Sequence, residues 1–391
     1  MKKNKIGLGL LTLTSVLVLG ACGGSSTNGK DTSTSKNGLE VKVLDGEYVT
    51  SKDLTASSSS KGFLALHVKL TNKGDKSITY GQTNFTLASK DDEEDIEPEN
   101  VYDSLDHFKT LDYGKVSKGR SKTGYIVYEV DKKEKKYNLL VETATNGDDD
   151  TEEVKIPVNA AKYPDNSEKI KELAKTFITQ TFLDGSATVD GSDAEAASTT
   201  GGAQVEFLSK KKSSKKDNEW KLANNTEEDK AAYMKAFIES AKSGWSHYQP
   251  SDSEAEKFAQ QYITANSKRA QIETTIIDYL PTSAKIAIKP SIINFKDLDT
   301  DSLKNEYIDK HKGDDFSDYD ALYKDAEKYI FENVHTRYDS AKIATPEYMN
   351  GEGYEINLTK DADTGEWTVD TSDATGNYDY KQLIQAFIGG L

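Results

Sequence analysis

The side chains that could do chemistry are few and widely spaced. A single cysteine, Cys22, rules out an intrachain disulfide and a cysteine-based metal cage. The five histidines (His67, His107, His247, His311 and His335) show no His-x-x-x-His spacing, which removes the usual helical zinc pattern. Asp297, Asp299 and Asp301 imitate the opening of a calcium loop, in which alternate carboxylates converge on one ion. The sixth position is Ser302 where the loop needs Gly, and the twelfth is Ile308 where it needs a bidentate Glu. Helix capping by Asp299 or Asp301 is therefore the better account. Asp361-Ala362-Asp363-Thr364-Gly365 reads as a hairpin turn, and the acidic runs Asp91 to Asp95 and Asp148 to Asp150 read as solvated loops. There is no Walker-type loop, no Gly-x-Gly-x-x-Gly and no Gly-x-Ser-x-Gly elbow. No cofactor and no metal is expected, and the chain is read as a non-enzyme.

Charge narrows the partners. The 391 residues carry 50 Lys+Arg against 66 Asp+Glu, a net −16, which argues against nucleic acid or anionic lipid as an electrostatic partner. Only Arg120, Arg269 and Arg337 could grip a phosphate bidentately. Near-exclusive use of Lys and only seven Pro suggest an AT-rich genome of the Gram-positive kind.

The N-terminus carries the clearest signal. Met1-Lys2-Lys3-Asn4-Lys5 is a short basic segment, and Ile6 to Leu19 is an uncharged, Leu-rich run, shorter than the ~20 residues that span a bilayer. It ends in Leu19-Gly20-Ala21-Cys22, which resembles the lipobox of bacterial lipoproteins. The resemblance implies recognition of Leu19, Gly20 and Ala21 by the signal peptidase, diacylglyceryl transfer to the Cys22 thiol and cleavage after Ala21. Two acyl chains on one cysteine suffice for stable anchoring. Loss of 21 residues from 391 leaves 370, and loss of Lys2, Lys3 and Lys5 takes the net charge from −16 to −19. The expected product is an acidic body held at the outer face of the cytoplasmic membrane, with the lipid bilayer as partner through acylated Cys22. Residues 14–21 (Thr14 to Ala21) also resemble the hydrophobic sex-pheromone octapeptides released from some lipoprotein signal peptides.

Lys122-Thr123-Gly124 and Ser58-Ser59-Ser60-Lys61 resemble two motifs of the penicillin-recognising enzymes. Too little chain separates them for that family's helical domain and no Ser-Asp-Asn occurs, so the first is read as a turn before a strand.

The elements that must position these residues fall into two domains, since the length exceeds twice the roughly 150 residues of one domain. Residues 22–38 read as a flexible Gly/Ser/Thr tether. Residues 39–162 read as β: Val41 and Val43 alternate with Glu40 and Lys42, and Leu64, Leu66, Val68 and Leu70 share one face. About seven short strands imply a sandwich. Thr71-Asn72-Lys73-Gly74 and the run Gly119 to Val130 resemble a family of secreted immunoglobulin-like domains in Gram-positive lipoproteins. Tyr163-Pro164-Asp165 marks a boundary. Residues 165–391 then read as α+β, with a helix capped by Asp165 or Ser167, an insertion near 185–218 containing a strand at Val205 to Leu208, a capping box at Ser251 and a final Trp367 hairpin. That part resembles cystatin-like or NTF2-like folds. The fold class is thus multidomain, an all-β immunoglobulin-like sandwich followed by an α+β domain with an antiparallel sheet.

Seven of the 21 Tyr lie between Tyr307 and Tyr354, which raises a Tyr-lined ligand cleft. The expected function is a binding module for an envelope protein or peptide. Alternatives are a solute-binding lipoprotein of a transporter, an envelope hydrolase using paired carboxylates, and a precursor of the residue 14–21 peptide.

Overall fold

The computed structural model describes residues 33–36, 38–89, 95–144, 151–183, 220–313, 317–348, 351–373 and 377–391. The described residues form one compact unit.

The first half is a β-sandwich. Its strands are β1 (Ser33–Lys36), β2 (Leu39–Val49), β3 (Lys61–Asn72), β4 (Ile78–Gly81), β5 (Phe85–Ser89), β6 (Asp95–Ile96), β7 (Tyr113–Val116), β8 (Ser121–Asp131), β9 (Tyr137–Ala144) and β10 (Thr151–Val158). One sheet has the order β1-β2-β3-β8, the other β10-β9-β5-β6, and β4 pairs with β7 as a separate ribbon; all pairs are antiparallel. Leu64, Leu66, Val68 and Leu70 are wholly buried between the sheets, as their alternation predicts. Strand β1 lies inside the expected tether. Its pairing with β2 uses backbone groups alone, so a Ser/Thr/Lys segment can supply it without an apolar pattern. The turn into β2 passes so close to the β3–β4 loop that a Cβ on Gly38, at φ +89°, would sit 2.6 Å from Gly74 Cα.

The second half is α+β. Its helices are α1 (Ser167–Phe182), α2 (Thr226–Ser243), α3 (Asp252–Ser267), α4 (Thr300–Lys310), α5 (Tyr319–Asn333) and α6 (Tyr378–Phe387). The strands are β11 (Gln271–Leu280), β12 (Ser283–Ile293), β13 (Ile343–Ala344), β14 (Tyr354–Lys360) and β15 (Trp367–Val369), ordered β11-β12-β14-β15 with β13 on β12. Its core joins the α1 stripe Ile170, Leu173, Phe177 and Ile178 to Ile286 and Ile288 of β12 and to Trp367. Asp299 caps α4 by accepting from the Ser302 N–H, as the failed calcium loop implied, and Ser251 and Glu254 form the expected capping box on α3. Asp361 organises the hairpin turn by accepting from the N–H groups of Asp363 and Thr364. The α1 cap is neither Asp165 nor Ser167 but Asn166, whose side chain makes no cap bond. The insertion near 185–218, with its expected strand at Val205 to Leu208, lies outside the described residues, as do the acidic runs Asp91 to Glu94 and Asp148 to Asp150.

Candidate functional site

Leu19, Gly20, Ala21, Cys22 and the residue 14–21 peptide lie outside the described residues. Among those described, no helix is long and apolar enough to cross a membrane, and no three His, Cys, Asp or Glu side chains are grouped to hold a metal. Lys122-Thr123-Gly124 lies within strand β8 rather than in a turn before it, and Ser58 and Lys61 form the turn into β3.

The tyrosines do not assemble into a cleft. Tyr307, Tyr338 and Tyr354 are buried, whereas Tyr319 and Tyr323 stand exposed at the start of α5. The stripe Tyr319, Leu322, Tyr323, Ala326, Tyr329, Ile330 and Val334 reads as one apolar-aromatic face, but only its C-terminal end, Ile330 and Val334, is fully buried in the core. Helical periodicity marks a face without stating how much of it a neighbour covers.

Two other features have the geometry of sites. The first is a seam between the two halves. Strand β2 bulges between Val43 and Asp45, so the alternation inverts: Val41 and Val43 point into the sandwich, and beyond the bulge Tyr48 does so while Val49 faces out. Val49 joins Phe63, Ala65, Phe108 and Val127 of the sandwich and Leu280 of β11 in a small apolar cluster. Beside it the two halves exchange backbone bonds, Thr50 N–H to Tyr279 O at 3.0 Å and Tyr279 N–H to Thr50 O at 2.7 Å.

Three carboxylates complete the seam. Asp278 accepts from the Ser51 hydroxyl at 2.9 Å and the Lys52 N–H at 3.1 Å. Asp103 accepts from the N–H groups of Leu105, His107 and Phe108 and from the Ser283 hydroxyl at 3.0 Å. Glu47 accepts from the Tyr279 hydroxyl and, at 2.9 Å, from the Asn166 side-chain amide. That bond occupies the Asn166 side chain away from the α1 terminus. Burial pushes the Glu47 carboxyl above its ordinary range, against the opposing pull of the two donors and of Lys360. The seam holds this raised carboxyl with hydrogen-bond donors rather than with a second carboxyl poised across a cleft.

The second feature is an open groove of about 600 Å³ between the outward side of α3 and the turn Val334–Arg337. Glu256, Lys257, Gln260 and Lys268 line one side, His335 and Asp339 the other. Arg269, at the end of α3, donates to the carbonyls of Tyr338 and Ala341 and so fixes the far wall. Both charge signs and several amides line it, which suits a polar, extended ligand better than an apolar one. No local pattern announces the groove, because the wall opposite α3 arrives from some 70 positions further along the chain.

A family profile described as a domain of unknown function, DUF4352, matches residues 29–152. No curated protein sequence matches the chain. Among solved structures, the ycdA protein of Bacillus subtilis, described as a candidate lipoprotein, aligns over 92% of this chain and 99% of its own with a TM-score of 0.57 and 18% identity. It has the same two-part fold. The yjhA protein of B. subtilis (20% identity, TM-score 0.24) and a candidate lipoprotein of Staphylococcus aureus (11%, 0.21) cover 32% and 34% of this chain and 94% and 92% of their own.

Proposed function

We propose that the chain is a lipoprotein held on the outer face of the cytoplasmic membrane by acylated Cys22, and that its folded body is a non-catalytic binding module for an envelope protein or peptide. One observation carries the anchoring: the only cysteine in 391 residues stands directly after Leu19-Gly20-Ala21. The description of the B. subtilis ycdA protein as a candidate lipoprotein supports it. The groove along α3 is the surface offered for binding. Helices packed on an antiparallel sheet support the cystatin-like or NTF2-like reading of the second half. The same antiparallel order counts against a transporter's solute-binding protein, which uses two parallel-sheet lobes.

Metabolic labelling with a palmitate analogue tests the anchoring. The wild-type chain is expected to carry label and to sediment with membranes, and Cys22→Ser to lose both; a variant that stays labelled or membrane-bound overturns the reading. For the binding role, a pull-down from cell envelope should return a partner whose capture falls with Lys257→Glu and Lys268→Glu. Nothing above a lipid-only control would count against it.

A further inference from the structure

Glu47 lies within strand β2, just beyond the bulge that turns its side chain to the seam. Its two donors come from separate places in the second half, Tyr279 near the end of β11 and Asn166 at the start of α1. Its flanks are the apolar seam side chains Val49, Ala65, Val127 and Leu280. The other charged and titratable groups that face it are Asp45 on its own strand, Tyr125 on β8 and Lys360 on β14. Tyr163 lies against the adjacent Gly46, Asp165 acts on Tyr279, and His67 pairs with Asp45.

We propose that this seam is a proton-linked joint: Glu47 holds a proton while the two halves are closed on each other and gives it up to water when they part, so that the joint loosens as pH rises. The physical reason is that an ionised carboxylate beside the buried apolar side chains of the seam is costly, a cost that Lys360 and the two donors offset only in part, whereas a neutral carboxyl keeps its place as an acceptor for Tyr279 and Asn166. Parting exposes the group to water, where ionisation costs nothing extra. Burial, which raises the affinity of Glu47 for its proton, works in the same direction. Because one proton is involved, the opening equilibrium changes by at most tenfold per pH unit.

Hydrogen exchange of the seam amides reads this directly. Thr50 and Tyr279 donate across the seam, so their protection, corrected for the intrinsic pH dependence of exchange, reports its opening. In the full folded chain, corrected protection at Thr50 and Tyr279 is expected to fall severalfold between pH 5 and pH 8, while amides of Leu64 to Leu70 in the sandwich stay level. Glu47→Gln, which cannot ionise, should remove the slope, and Asp45→Asn should retain it. A flat wild-type profile at the seam overturns the proposal without any variant. So does an undiminished slope in Glu47→Gln whose Leu64 to Leu70 amides remain protected. If that variant loses core protection, the wild-type and Asp45→Asn profiles decide: a slope in both supports the joint, and its absence from either overturns it.

Discussion

The seam and the groove both border the second half, and they are made of opposite materials. The seam is apolar at its centre, with Phe63, Val127 and Leu280 packed together, and its carboxylates accept hydrogen bonds from named donors across the boundary. The groove is open, polar and of mixed sign. Closed, complementary contact is what a permanent joint needs; an open polar surface is what exchange with a partner needs. The contrast separates stability from binding in this molecule, and substitutions can test it.

The largest effect is expected from the apolar centre. Leu280→Ala removes the second half's contribution to the seam cluster and should cost about 2–5 kcal/mol of global stability, measured by urea denaturation. A loss under about 0.5 kcal/mol would mean that the cluster is incidental. Tyr279→Phe comes next. It removes one of the two donors named above and should cost about 1–3 kcal/mol.

Glu47→Gln sharpens the comparison through pH rather than size. A carboxyl whose folded affinity for the proton is raised stabilises the fold relative to its ionised form at low pH. That advantage is complete below the unfolded value near 4.5 and disappears as pH rises through the raised folded value. The wild type minus variant difference in unfolding free energy should therefore shrink or change sign from pH 4.5 upward. A constant difference would contradict the burial of a titrating group there. The smallest effect belongs to the groove: Lys257→Glu and Lys268→Glu should each stay within about 0.5 kcal/mol of wild type while altering partner capture. A costly groove substitution would erase the distinction between the two regions.

How far the fold could be read beforehand follows the range of the interactions. The inward face of β3, the Asp299 cap, the Ser251 box and the Asp361 turn are local, written in residues two to four apart, and they stand where their patterns predict. The seam depends on partners more than 100 positions apart, such as Asn166 with Glu47 and Tyr279 with Glu47, and no local pattern announces them. The β2 bulge is the instructive case. Extending the Val41 and Val43 alternation would send Glu47 into the sandwich; one extra residue turns it to the seam instead. Strand β1 falls in a stretch that reads as tether because edge pairing asks little of side chains, and the Tyr-rich stripe of α5 forms no cleft because a periodic face is evidence of amphipathicity and not of a cavity.

If the seam makes one body of the two halves, tryptophan fluorescence reads it directly. Trp220, Trp245 and Trp367 all lie beyond the seam, so their fluorescence follows the second half alone, while exchange of the Leu64 to Leu70 amides follows the sandwich. Along one urea series, both signals are predicted to change at the same midpoint, and Leu280→Ala to pull them apart. Two separate midpoints in the wild-type chain would show that the halves are merely adjacent, and would contradict the account.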